Sequence, residues 1–328
     1  MRRFFNQLFN LLKISFTILF IGGLTYYIID RIQKKNNLMD IEEYSPKSTL
    51  INKKTKLKRS KYPFVDVHNH QFDMPLKNLN KLVAEMDSLN MGFMINLSGF
   101  RGLYLKKSLE NIKENAPNRF GLFLNIDFEA IDESDFEATQ TALIDSAVNA
   151  GVMGLKVYKS LGLTDTDSKG NRISINDPRL APIWDTCGKN KIPVLIHSGE
   201  PSSFWHPKDK FNERWLELRQ KPNRFRDPDT NPSFEEVLAE QHEVFKKHPN
   251  TIFINAHLGW MGNDLDRLET HLDTFPNVMT EIGAVLAELG RQPKRARSFF
   301  IKYQDRILFG KDSYKVSEYY TYFRVLET

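Results

Sequence analysis

The 328-residue chain is 41% hydrophobic and 27% charged, a balance that excludes a disordered or fibrous protein and leaves room for one large domain plus an appendage. Its net charge of +5 is unevenly spread: residues 1–62 carry 13 Lys and Arg against 4 Asp and Glu, and the rest carries 33 against 37. A basic terminus on a mildly acidic body argues for a membrane-flanking segment and against a nucleic-acid face.

From Leu8 to Ile29 the only charge is Lys13, whose aliphatic stem can snorkel to an interface. About 20 apolar residues cross a bilayer. Arg2 and Arg3 precede the stretch, Arg31, Lys34 and Lys35 follow it, and neither an Ala-x-Ala-like cleavage site nor a lipobox cysteine is present. Residues 1–35 are therefore expected to be an uncleaved single-pass anchor, with a signal peptide as the alternative. Basic residues flank both ends, so the orientation follows the habit of N-terminal signal anchors, with the body periplasmic or extracellular. Residues 36–62 are polar and lysine-rich, including Lys53-Lys54 and Lys56-Leu57-Lys58-Arg59, and read as a basic linker.

A regular alternation begins at residue 63. Apolar runs with the character of buried parallel strands fall at 64–68, 92–97, 120–127, 154–158, 193–197, 251–257, 277–282 and 306–312. Helical patterns lie between them, at 79–89, 136–150, 234–247 and 265–275. Asp177-Pro178 offers a cap with proline in the first turn, and Ser233 with Glu236 has capping-box spacing. Eight strands alternating with helices over about 265 residues predict an α/β fold, a (β/α)₈ TIM barrel over 63–328. Cys187, the only cysteine, falls in a predicted helix, so a thiolate zinc site is excluded and a small core residue is expected.

In such a barrel the chemistry gathers at the C-terminal ends of the strands. Four of the eight histidines lie there: His68 and His70 after the first run, His197 closing the fifth and His257 closing the sixth. Asp312 closes the eighth. In a strand His68 and His70 share a face with Asp66 beneath them, while Asn69 points away. His242, His248 and His271 fall in or beside helices and are expected to face solvent, and His206 lies in a loop. Three imidazoles and a carboxylate suit Zn²⁺ or a similar divalent ion, which acidifies a water and polarises a carbonyl. Asp312 has the chemistry to take a proton from that water and His257 to steady a developing oxyanion.

The His-x-His after the first strand, the histidines ending the fifth and sixth and the aspartate ending the eighth resemble the amidohydrolase superfamily. The stretches GLKVYKSLG, PVLIHSGEP, NAHLGW and RILFGKDS are similar to the amidohydrolase-related branch that includes aminocarboxymuconate-semialdehyde decarboxylase-like proteins. The resemblance implies a divalent metal, zinc by preference, bound by His68, His70, His197 and Asp312, with His257 near the substrate. It implies hydrolysis of an amide, ester or lactone bond of a small molecule by a metal-activated water, or decarboxylation of a small carboxylic acid by the same centre. A barrel that has lost catalysis and serves as a binding module is the alternative from another class.

Two departures accompany the resemblance. Lys311 stands where relatives have a small residue, and by alternation it should point away from the metal. Only 16 residues follow Asp312, enough for a helix at about 317–326, so a truncated C-terminus is expected.

Lys156, near the end of the fourth strand, is a candidate for bridging two metals or for binding a substrate carboxylate. Glu281 and Asp127, at the ends of the seventh and third strands, are candidate partners for the ligands. The long connection 198–232 is the expected lid, with Trp205 and Arg214 as candidate substrate-binding residues or, for the tryptophan, a packing anchor. Asp165 and Asp167 in the loop after the fourth strand suggest calcium, but Lys169 and Asn176 break the EF-hand pattern.

Overall fold

The computed structural model of the chain describes every residue except 1, 37, 38, 41, 42 and 52–54. The Lys53-Lys54 pair of the expected linker lies outside the described residues. The chain forms two compact units, Met1–Lys53 and Lys54–Thr328.

The first unit contains helix α1 (Arg2–Asn36). Its stretch Leu12–Lys35, of 24 residues, is long and apolar enough to cross a membrane. At about 1.5 Å per residue it spans roughly 36 Å, against a hydrocarbon core of about 30 Å. An anchor and a signal sequence share these properties.

In the second unit, strands β1 (Phe64–Asn69), β2 (Met91–Asn96), β3 (Phe120–Asn125), β4 (Gly154–Val157), β5 (Val194–Ile196), β6 (Phe253–Asn255), β7 (Val278–Glu281) and β8 (Ile307–Leu308) lie in sequence order in one sheet. Every neighbouring pair is parallel. The last strand meets the first through Val67 N–H to Phe309 O at 2.9 Å and Asp312 N–H to His68 O at 2.7 Å, with a parallel bridge between Asn69 and Asp312. The ring of helices is α2 (Leu79–Leu89), α3 (Gly102–Asn115), α4 (Phe136–Asn149), α5 (Ala181–Lys189), α6 (Trp215–Gln220), α7 (Phe234–Lys247), α8 (Leu265–Thr274), α9 (Leu286–Gly290), α10 (Pro293–Lys302) and α11 (Val316–Glu327). Short α6 and α9 sit inside the connections after β5 and β7. The remaining eight follow one strand each, which is the (β/α)₈ barrel.

Local chemistry explains the helices. Asn78 accepts the N–H of Lys81 at 3.0 Å at the start of α2, and Leu79, Leu82, Met86 and Leu89 bury one stripe of it. Ser233 accepts the N–H of Glu236 at 3.1 Å at the start of α7. Between strands and helices lies one large core that includes the buried Cys187. Inside the barrel a second cluster, Ile95, Leu97, Phe123, Leu195, Ile254 and Ala256, fills the bore. That plug underlies the C-terminal rim of the strands.

From β3 onward the strands are shorter than the apolar runs suggest. Residues 256–257 open a short 3-10 segment, Ala256–Trp260, and 309–311 are loop with only a single bridge at Asp312, because the backbone turns out of the sheet where side chains must converge. The three helix histidines are not solvent-facing. His271 and His248 are buried and His242 is half-buried. His242 and His271 stack at 4.6 Å between α7 and α8, against Phe245 and Phe275, and His248 pairs with Asp185 at 2.7 Å. Their rings serve the core as aromatic surface. Asn69 is fully buried too, and it bonds Asp66, Tyr319 and Gln71.

Candidate metal centre

Five side chains meet at the C-terminal rim. His68 is fully buried, and its Nδ1 lies 2.9 Å from Glu281 Oε1. Since Glu281 is an acceptor, Nδ1 carries the proton and Nε2 offers only a lone pair. That Nε2 lies 3.4 Å from Asp312 Oδ1, and His70 Nε2 lies 3.6 Å from the same oxygen. Although close, His68 Nε2 has no hydrogen-bond partner; the contact is an approach of two acceptors aimed at one point. Such a set is repulsive unless a cation sits among them. For ligand bonds of about 2.0–2.1 Å at a tetrahedral ion, donor atoms stand about 3.3–3.4 Å apart, so the donor set His68, His70 and Asp312 fits a divalent metal.

Glu281 is the hub behind the ligands. Its Oε1 accepts His68 Nδ1–H and, at 2.7 Å, the backbone N–H of His257; its Oε2 accepts Gly283 N–H at 2.5 Å. Burial raises its pKa, but the facing His68 and His257 outweigh that and hold it at about 2. Three donors thus fix Glu281, which also forms a compact group with His68 and His257 that could hold a metal ion. His70 is oriented the same way by Ser98 Oγ, 2.8 Å from its Nδ1. Burial, reinforced by His68 and Lys156, lowers the pKa of His70 to about 3. In Asp312 burial opposes ionisation, yet His68, His257 and His70 hold the carboxyl below its usual range.

His257 opens an unusual turn. His257, Leu258 and Gly259 have φ/ψ of 57/40°, 55/26° and 59/24°, and Trp260 has φ 56°. Left-handed backbone costs about 1–2 kcal/mol per residue with a Cβ. The strain presents His257 to the centre, its ring 4.9 Å from His68 and 4.4 Å from His197, with Trp260 stacked on it at 4.6 Å. Its Nδ1 donates to Gly283 O at 2.7 Å. Burial lowers its pKa to about 4, with His68 adding to the effect and Glu281 and Asp312 opposing it. Neutral His257 therefore offers a lone pair at Nε2 and can steady an oxyanion only after taking up a proton.

The other predicted residues are spread more widely. His197 is one residue beyond β5; its Nε2 is buried without a partner, burial holds its pKa well below the usual value, and it belongs to neither compact donor group. Lys156 is 1% exposed, its Nζ has no partner, and burial lowers its pKa to about 7 against the pull of Glu281 and Asp312. In the long connection after β5, Trp205 donates to Pro232 O at 2.7 Å and packs on Phe234. With Trp260 and Met261 it walls a cavity of about 470 Å³. Arg214 is committed to Glu288 and Glu217, at 2.5 and 3.1 Å. Asp127 pairs with Arg101. Lys311 turns away, its Nζ bonding Ser313 O and Glu318 at 3.0 and 2.8 Å. Sequence reasoning missed Ser98, signalled only by its place just beyond β2.

The Amidohydrolase family model matches residues 117–325, more than half of the chain, so the chain belongs to the amidohydrolase family. The match takes in His197, His257, Glu281 and Asp312 and begins after His68 and His70. No curated protein matches the chain. Among solved structures, an uncharacterised TIM-barrel protein from Bordetella bronchiseptica is 14% identical with a TM-score of 0.50, covering 81% of this chain and 92% of that one. An amidohydrolase from Burkholderia multivorans with bound zinc is 12% identical over 81% of this chain and 92% of that one, with a TM-score of 0.48. An amidohydrolase from Mycobacterium avium subsp. paratuberculosis is 15% identical, TM-score 0.47, covering 78% and 71%. The likeness to the Bordetella protein is one of fold alone.

Proposed function

We propose that the protein is a metal-dependent hydrolase that cleaves an amide, ester or lactone bond of a small molecule. The observation that carries this reading is the convergence of His68 Nε2 and His70 Nε2 on Asp312 Oδ1, at 3.4 and 3.6 Å, with His68 Nε2 buried and without a hydrogen-bond partner. His68, His70 and Asp312 hold the metal, and His197 completes the set with its unpartnered Nε2. Three nitrogens and one oxygen favour zinc among divalent ions. When bound, such an ion supplies Lewis acidity to a carbonyl and acidifies a water. Asp312, the half-buried ligand, accepts the proton of the attacking water. His257 stands beside the substrate as a neutral base and becomes a donor to the developing oxyanion once protonated. Trp260 covers its ring and limits water. Helix α1 serves as an uncleaved anchor with the barrel on the outer face of the membrane; its length and apolar composition support a membrane-crossing segment, and the absence of an Ala-x-Ala-like site in the sequence supports an anchor over a signal peptide.

A second reading, decarboxylation of a small carboxylic acid, draws on Lys156. Its buried, unpartnered Nζ suits a substrate carboxylate better than a neutral lactone. One experiment addresses both: the zinc-loaded protein is offered a panel of lactones, amides, esters and small carboxylic acids, with acid release and carbon dioxide followed separately. Acid release without carbon dioxide supports the hydrolase. Carbon dioxide release replaces it with the decarboxylase, and a metal-loaded protein inert to the whole panel favours the binding module.

A further inference from the structure

Helix α11 carries Tyr319 and Tyr322, three residues apart and so on one face, and both are buried. We propose that these two tyrosines are positioning residues for the metal centre, and that α11 is the brace holding the β1 and β7 ends of the site in register. The proposal rests on the metal-dependent reading above.

Tyr319 reaches the floor beneath the two histidines. Its hydroxyl donates to Asp66 Oδ2 at 2.6 Å and accepts from Asn69 Nδ2 at 3.0 Å. The other carboxylate oxygen, Asp66 Oδ1, accepts the backbone N–H groups of His68 and Lys311, both at 3.1 Å. One fully buried carboxylate thus ties the residue that starts the His-x-His pair to the residue before Asp312. These are the two backbone segments that must meet for the donor atoms to converge. The short bond from Tyr319 is the charge-assisted one supplied from outside the barrel; without it Asp66 Oδ2 keeps only Asn69 Nδ2, at 2.9 Å.

Tyr322 reaches the opposite side. Its hydroxyl accepts the N–H of Ala284 at 3.0 Å. Ala284 has φ 57°, a left-handed conformation that alanine keeps only when its surroundings enforce it. The preceding residue is Gly283, whose N–H fixes Glu281 and whose carbonyl fixes His257 Nδ1. The rings themselves are held by Phe309, 6.2 Å from Tyr319 and 5.4 Å from Tyr322. Packing therefore sets the helix in place and the two hydroxyls pass that placement to the ligands. Binding sites of this kind tolerate only about 0.5 Å of drift.

The test uses the full chain with Tyr319→Phe and Tyr322→Phe, each removing one oxygen and keeping the ring. The control is Tyr303→Phe, whose hydroxyl bonds Asp273 at 2.8 Å between α10 and α8. Co²⁺ affinity is measured against a competing chelator, the visible spectrum of the Co²⁺ form is recorded, and thermal unfolding is followed without metal. The brace predicts that both site variants unfold cooperatively yet lose about tenfold or more in Co²⁺ affinity and shift the spectrum, while the control changes neither. Parent-like affinity and spectrum in the site variants overturn the brace and leave the metal reading standing; so does an equal loss in the control. A parent that takes up no Co²⁺ overturns both. If Tyr319→Phe does not fold, Tyr322→Phe carries the same comparison.

Discussion

At the scale of single residues, the centre is built by giving every proton a fixed owner. His68 and His257 spend their Nδ1–H groups on Glu281 and Gly283, which leaves their Nε2 lone pairs facing inward. Glu281→Gln would keep the volume but remove the charge and set an NH2 group against either Gly283 N–H or the pair His68 Nδ1–H and His257 N–H. Metal affinity by chelator competition should fall about 10–100-fold; an unchanged affinity would show that Glu281 does not orient the ligand. A second residue-scale outcome lies away from the site. His271 is buried with neither ring nitrogen bonded; burial, helped by His242, Arg267 and Arg306, lowers its pKa to about 3. Its unfolded pKa is about 6.5, so at lower pH the unfolded chain binds the proton and the folded one does not. The stability cost is absent above pH 6.5 and grows as pH falls towards about 3, by about 1.4 kcal/mol per pH unit. Urea unfolding at pH 7 and pH 5 should therefore show a smaller pH drop for His271→Leu than for the parent. The five rim residues were legible in the sequence because each sits at the end of an apolar run. What one strand's pattern does not encode is which lone pairs stay free: that depends on Glu281, Ser98 and Gly283, on other strands and loops.

At the scale of elements, the helices whose caps and apolar spacing are explicit, α2 and α7, have the bounds that the pattern predicts, 79–89 and 234–247. The strands do not, because in a run such as 306–312 nothing in the local pattern marks where pairing ends and the turn begins; only Ile307–Leu308 is strand. Gly310 shows why the turn is needed. A methyl group built there would overlap Glu281 Oε2 and lie 2.8 Å from His68 Cβ, and Glu281 is clamped by three donors. Gly310→Ala should cost about 1–3 kcal/mol in denaturant unfolding and weaken metal binding with it. Full stability in that variant would mean that the β8 turn yields more easily than this packing implies. The length of the connection after β5 was legible in the sequence, whereas the commitment of Arg214 to Glu288 arises from the helix after β7 and has no local signature.

At the scale of the whole molecule, the chain joins a candidate membrane helix to a barrel with its own core. The full chain should resist alkaline carbonate extraction from membranes, and removal of residues 1–35 should release it; a full chain recovered in the wash would contradict an uncleaved anchor. The barrel was legible because eight runs alternate with helices, but the closure between β8 and β1 was not, since it rests on the backbone bond from Asp312 N–H to His68 O and on the bond from Lys311 N–H to the Asp66 carboxylate, across 245 positions of sequence. The central claim is that this closure exists to assemble a metal centre. Elemental analysis of the purified, folded full-length protein tests it most directly, beside His68→Ala and Asp312→Asn. The account predicts about one equivalent of a divalent transition metal in the parent and little in either variant. Less than about half an equivalent in a folded parent incubated with zinc, or undiminished metal in both variants, would contradict it.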